Sequence, residues 1–552
     1  MRRFISVLFC CLVSWYAIAD DDVNTKDSTA ASSSIDSELI ELVNQLPNTK
    51  LNKMQPLVEN IAAIKSHKTR EVLQILLAGD LYYLKSDKTL VNAQKQNDGN
   101  YQLTNILTDE ALAPVKKRAI RKIRSNNRLR SAIRSFIAKI DLTDDDKSTR
   151  YGAVEQLLEK PSQETLDTMR SLLPLEKDAD VANLMQTVLL IEQLKHGKID
   201  EQLSAVAGLK SSLEPVVLNT LSALSEELSA SEKTQEQEQL LTAMSKAIAT
   251  IESKRSNYKF IENVFFGLSL GSVLLLAAIG LAITFGVMGV INMAHGEMIM
   301  LGAYTTYVVQ LVFPNLIEYS LLIAVPAAFV VTGLVGILIE RGVIRFLKGR
   351  PLETLLATFG ISLILQQLVR TVFSPLNRQV QSPEWMTGSW QINPVFSLTF
   401  NRLYIILFAI MVFFTLLMIL KKSSLGLHVR AVSQNREMAK ALSIKSDWVD
   451  AITFGLGSGI AGIAGVVLSQ LTNVGPNLGQ AYIIDSFLVV VFGGVGNLWG
   501  TLVAAMSLGS INKFLEPITG SVLANIIVLV GLVLFIQKRP KGLFPQKGRA
   551  VD

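Results

Sequence analysis

The chain has 552 residues, 49% of them hydrophobic and 18% charged, with a mean hydropathy of +0.35. That is too apolar for an ordinary soluble protein and too charged for one lying wholly in a bilayer. Its 53 Lys and Arg are largely offset by 47 Asp and Glu, leaving a net charge of +6.

Residues 1–19 read as a secretory signal peptide. Arg2 and Arg3 precede an apolar run, Phe4–Trp15, and Ala17-Ile18-Ala19 forms a small-x-small cleavage site. The run is too short to span about 30 Å of hydrocarbon at about 1.5 Å per residue. Both cysteines, Cys10 and Cys11, lie inside it. A mature chain without them excludes disulfides, thiolate nucleophiles and cysteine-ligated metals. Residues 20–34, acidic and rich in Ser, Thr and Ala, read as a disordered leader.

Residues 35–257 recur in apolar character at helical spacing, with breaks at Pro161 and Pro174 and almost no strand-like alternation. They predict a soluble all-α periplasmic domain. Two stretches, Arg150–Leu173 and Gln202–Leu224, align Ala153 with Ala205, Leu157 with Leu209, and Leu166 with Leu218 or its neighbour. This pattern leaves open a HEAT-like solenoid of paired helices and a plain helical bundle. The basic stretch Lys116–Arg134 reads as a solvated helix face, or one turned to a partner or anionic lipid. An export signal upstream makes nucleic acid improbable.

From residue 258 to the end come 30 of the 35 glycines and four of the five tryptophans, a membrane-helix composition. The apolar runs are Phe265–Val287, Met298–Phe313, Leu321–Ile339, Leu355–Phe373, Leu403–Leu420, Val449–Leu471, Ile483–Val495, Leu498–Ile511 and Val522–Ile536. The whole therefore predicts an all-α chain: a polytopic helical region of eight to nine spans over 258–545, behind the soluble domain and ahead of a cytoplasmic tail, 546–552. Arg341, Arg345, Lys348 and Arg350, then Lys421 to Lys445, then the basic C-terminus face the cytoplasm by the positive-inside rule. With an exported start and an internal end, the number of crossings must be odd, and nine fits.

Between the first two runs stands "NMAHGEM", with His295 and Glu297 two residues apart. An ionisable group at membrane depth costs roughly 2.5–3.5 kcal/mol on insertion scales and is a functional candidate by default. Spacing alone leaves a second reading open, a short solvated turn that the glycines permit. Gln366 and Gln367, mid-run in "ISLILQQLVRTVF", imply that at least one faces the interior.

"GVINMAHGEMIMLGAY", "RAVSQNREMAKALSI", "FGGVGNLWGTLVAA" and "QKRPKGLF" resemble the permeases of the branched-chain amino acid ABC importers. "GRPLETLLATFGISLILQQ" and "SQLTNVGPNLGQAYIIDSFLVVVFGGVGNLWGT" are similar in particular to the urea-importer branch, as is a secreted helical extension fused ahead of the permease. The similarity spans about Tyr258–Arg549. It implies an inner-membrane transport subunit, not an enzyme. Its implied partners are a second related permease, two cytoplasmic ATPases and a periplasmic substrate-binding protein. No cofactor is expected on this chain; without a G-x-x-x-x-G-K-[ST] motif, ATP would be bound by the partner ATPases.

The resemblance makes Gly426–Trp448 the element that meets the ATPases, with Gly426, Arg430, Ala431, Asn435, Ala439 and Ile444 as coupling residues. Its pattern predicts one short amphipathic helix with Val432, Met438, Ala439 and Leu442 near one face. Urea carries four N–H donors and one carbonyl, so its pathway needs acceptors and amides rather than a charge clamp. Asn292, His295, Glu297, Gln366, Gln367, Gln470, Asn473, Asn477 and Asp485 are the candidates. A zwitterionic amino acid would want paired opposite charges, and the spans offer one cation, Arg370. A passive channel would not need the basic cytoplasmic segment. An intramembrane enzyme on His295 and Glu297 lacks a second ligand-spaced histidine.

Overall fold

A computed structural model describes residues 38–64, 66–96, 100–158, 161–230 and 234–544. The expected signal peptide, leader and tail lie outside these. The chain divides into two compact units, Met1–Ser212 with Val216–Ile248, and Leu213–Pro215 with Ala249–Asp552.

The first unit opens with helices α1 (Met54–Ala63) and α2 (His67–Ala78), and then departs from the all-α expectation. Strands β1 (Leu81–Leu84), β2 (Leu90–Lys95), β3 (Tyr101–Asn105), β4 (Ala111–Val115) and β5 (Ile120–Lys122) form an antiparallel sheet in the order β4-β3-β2-β1-β5. Val91, Ala93, Tyr101, Leu103 and Ile120 make one small buried cluster on it. Two hairpins share one turn geometry: Leu84 N–H donates to Thr89 O and Asn105 N–H to Glu110 O, with Lys88 (φ 63°) and Asp109 (φ 57°) left-handed. Neither turn contains glycine, the usual marker of such a conformation. That is why the strands, three to six residues long, were absorbed into the expected all-α domain. The basic stretch is thus split between β5 and the start of a helix rather than lying on a single helix face.

Helices then take over as predicted: α3 (Asn127–Asp141), α4 (Lys147–Leu157), α5 (Gln163–Leu172), α6 (Ala179–His196), α7 (Ile199–Leu209) and α8 (Pro215–Ser229). Packing is between near neighbours in the chain: α3 on α4, α4 and α5 on α6, α6 on α7. The aligned positions Ala153, Leu157 and Leu166, and Ala205, Leu209 and Val217, are all buried. Arg150 grips Glu176 through two parallel bonds of 2.8 and 2.9 Å, fixing α4 to the turn before α6.

Each of the nine apolar runs of the second part is helical: α9 (Gln235–Met288, 54 residues), α10 (His295–Val312), α11 (Ser320–Gly342), α12 (Pro351–Phe373), α13 (Phe400–Lys422), α16 (Ser446–Ser469), α17 (Leu478–Gly493), α18 (Leu498–Thr519) and α19 (Ser521–Lys538), with α14 (Ser424–Gln434) and α15 (Arg436–Ala441) between α13 and α16. Six of them are long and apolar enough to cross a membrane. The short α17 is joined to α18 through a break at Gly494 (φ 101°) and Gly496 (φ 79°). A two-stranded hairpin, β6 (Ser389–Asn393) and β7 (Phe396–Thr399), interrupts the stretch before α13.

Helices α10 and α16 form the centre. A Cβ on Gly465 would stand 1.9 Å from Ile299 O, and one on Gly302 would stand 2.0 Å from Gly462 O, so the two backbones touch with no side chain between them. Such close approach is how helices associate where water offers no hydrophobic drive. By contrast α12, α13 and α19 leave most of their large apolar side chains exposed, among them Leu356, Leu407 and Val522, as lipid-facing helices do.

Candidate functional site

Helix α9 ends at Met288, and Gly289 (φ 67°) turns the chain into a six-residue non-helical segment before α10. That segment doubles back along α9. His295 reaches Ala277 O at 2.8 Å, about 16 Å short of the helix end at 1.5 Å per residue. It is therefore no solvated turn. Asn292, His295 and Glu297 are each at most 1% exposed. Non-helical backbone survives at such depth only when protein covers it. Here Asn292 caps its own turn, accepting from Ala294 N–H at 3.0 Å, and Met293 N–H donates to Thr358 Oγ1 at 3.2 Å.

A carbonyl can only accept, so Nε2 of His295 carries the proton and Nδ1 is a bare acceptor, with no partner among the described residues. Glu297 divides in the same way. Oε1 accepts from Ser362 Oγ at 2.8 Å and Gln366 Nε2 at 2.7 Å, while the buried Oε2 has no partner among the described residues. Both donors come from α12, where Thr354, Thr358, Ser362 and Gln366 are buried at four-residue intervals. Four residues are slightly more than one turn, so these side chains line one stripe of an otherwise lipid-exposed helix. Arg370 continues the stripe and donates to Asn477 Oδ1 at 2.8 Å.

The structure thus joins Glu297 to Gln366, while His295 turns to α9, Asn292 caps its own turn and Asn477 is exposed beside Arg370. It adds Thr358, Ser362 and Arg370, whose signal was the four-residue polar period within "LETLLATFGISLILQQLVR". The other candidates stand apart. Gln367 and Asn473 are exposed. Gln470 lines a separate cleft of about 120 Å³ with Leu321, Trp385, Tyr404 and Val466, its Oε1 unpartnered among the described residues. Asp485 is half-buried on α17.

The expected amphipathic helix is in fact two, α14 and α15, broken at Asn435 (φ −151°), whose side chain caps α15 by accepting from Met438 N–H at 2.9 Å. Gly426 is buried against Leu420, whose carbonyl also receives Arg430. Ala439 is buried, and Ala431 and Ile444 pack partly buried against the core. Met438 and Leu442, expected on the apolar face with them, are instead 60% and 70% exposed. Beside this segment a cleft of about 280 Å³ is lined by Gly286, Leu420, Arg430, Ser433, Asn497 and Trp499.

Residues 263–537 match the protein family described as branched-chain amino acid transport system / permease component. The high-affinity branched-chain amino acid transport system permease protein BraD of Pseudomonas aeruginosa is 28% identical over 297 residues, 52% of this chain and 96% of the relative. LivH, the corresponding protein of Escherichia coli K12, is 29% identical over 294 residues, 51% and 95%. The ribose import permease protein RbsC of the same strain is 27% identical over 304 residues, 53% and 90%. No solved structure matches the chain.

Proposed function

From the membership of residues 263–537 in this permease family, we propose that the chain is the translocating subunit of an ATP-driven importer of urea or short amides. The observation that carries the cargo is the buried carboxylate of Glu297, one oxygen held by Ser362 and Gln366 and the other open. That open oxygen is a buried acceptor, which suits a neutral solute rich in N–H donors. The Gln366 amide supplies the complementary donor for a carbonyl. Half the chain, the first unit among it, lies outside the stretch shared with the amino acid permeases, in keeping with the fused extension of the urea branch. In this reading that unit is periplasmic and receives the binding protein, the membrane part makes nine crossings, and Gly426–Trp448 meets two cytoplasmic ATPases.

A second reading, an amino acid importer, rests on Arg370. It extends the stripe that holds Glu297, so the two could divide the charges of a zwitterion. The test is uptake of labelled urea by cells expressing the chain with its genomic neighbours, beside a strain with an ATPase-dead partner, with leucine and acetamide as competitors. ATP-dependent urea uptake that leucine does not compete supports the first reading. Leucine uptake without urea uptake selects the second. Urea uptake that survives in the dead strain means a passive channel.

A further inference from the structure

At the end of the second unit that carries the basic loops, charges are concentrated where few are needed for solubility. Asp450, one turn into α16, is fully buried. Arg436 of α15 donates to both its oxygens, at 2.6 and 3.0 Å, and Lys348 donates to Oδ2 at 2.6 Å. Lys348 also holds Asp447 at 3.2 Å. Glu340, on α11, is equally buried, yet neither of its oxygens has a hydrogen bond among the described residues, and Lys348 Nζ stands 3.9 Å away. The guanidinium of Arg341 lies 4.3 Å over the Trp448 ring.

A bidentate guanidinium pair on a buried carboxylate is directional and stiff. We propose that Asp450 is a positioning residue that pins the ATPase-facing segment to the central helix, so that movement of α15 is delivered to α16 and from there to α10. This rests on the reading of Gly426–Trp448 as the coupling segment. The route is short. Asp450 and Gly465 lie on one helix, about 22 Å apart at 1.5 Å per residue. Gly465 meets the backbone of Ile299, two residues from Glu297. Beyond the Arg436–Asp450 pair, a push therefore reaches the start of α10 along helix backbone. Glu340 supplies the second arrangement that a moving part needs. Lys348 has only about 1 Å to travel to reach hydrogen-bond distance from it, so the lysine can pass between two buried carboxylates as α15 shifts.

The experiment uses the complete importer in proteoliposomes and reads solute moved per ATP hydrolysed, with urea and leucine as solutes. Arg436→Gln is expected to lower that ratio about tenfold, with assembly and ATP hydrolysis retained. Arg436→Lys, which keeps the charge and loses the fork, falls between. The exchange Arg436→Asp with Asp450→Arg recovers part of the loss. A ratio unchanged in R436Q, or uptake and hydrolysis falling together in step with assembled complex, overturns the proposal. Because Asp450→Asn strips two cations of their anion and can fail to assemble, the half-exposed Arg436 carries the test. A cargo-free arm places spin labels at the exposed positions Leu311 and Val372. Nucleotide is expected to change their separation in the wild type and not in R436Q, and a change retained in R436Q overturns the pin. Should the wild type carry neither solute, the transport reading fails while this distance still decides the pin.

Discussion

At Glu297, one carboxylate oxygen takes both donors offered by Ser362 and Gln366, and its twin takes none. Glu297→Gln keeps the shape but sets an N–H where acceptors gather. Hydrogen bonds to a charged group are worth about 1.5–3 kcal/mol, so uptake is expected to fall about tenfold to a hundredfold at unchanged membrane abundance, measured by initial rates and immunoblot. The seam between α10 and α16 gives a second prediction. Gly465→Ala forces a methyl onto Ile299 O and is expected to cost about 1–3 kcal/mol or more by overpacking. Gly360→Ala, with nothing within 4 Å, is neutral or slightly stabilising because alanine is the better helix former. Melting of the detergent-solubilised variants separates the two. Glu297 and Gln366 were legible because an acid or amide in an apolar run is costly and asks for a reason. Ser362 and Thr358 showed only in their four-residue period, since a lone hydroxyl can satisfy itself on its own helix backbone; Thr358 does so, donating to Leu355 O at 3.0 Å.

Elements were legible in proportion to their length. Nine apolar runs gave nine helices because continuous apolarity over a span has one structural outcome in lipid. The break inside "RAVSQNREMAKALSI" was hidden because Asn435 sits in a helical period and reveals itself only as a cap. Asn435→Ala is expected to cost α15 about 1 kcal/mol, seen as faster hydrogen exchange at residues 436–441. The sheet of the first unit escaped for a related reason: left-handed Lys88 and Asp109 carry its turns, so no glycine announced them. Lys88→Gly and Asp109→Gly should be tolerated at both turns, whereas Val at either is expected to lower the melting temperature because β-branched residues resist positive φ.

On the scale of the whole molecule, the first unit has a titratable support of its own. The Arg150 hydrogen bonds hold the Glu176 carboxyl below its ordinary range, and the Lys147 ammonium does the same for Asp178. Lys147, between Asp178 and Asp180, is pushed up to about 12. A carboxylate with a depressed folded value contributes stability that is complete above its unfolded value and fades as pH falls through the folded one. The unit is therefore expected to hold steady through neutral pH and to loosen below about pH 4. Glu176→Gln should be less stable at neutral pH and show a flatter acid limb, read by exchange at residues 147–181.

The bare seam of α10 on α16 also governs how such a transporter can change its diet. On that side the helix bearing Glu297 meets bare backbone at two places, and almost any substitution at Gly302 or Gly465 collides with it. Its other side meets α12 through Ser362 and Gln366, side chain to side chain rather than backbone to backbone. If the proposed reading holds, new solutes are explored along that one helical stripe and not along the seam. Libraries restricted to those two positions are where altered cargo would first be found.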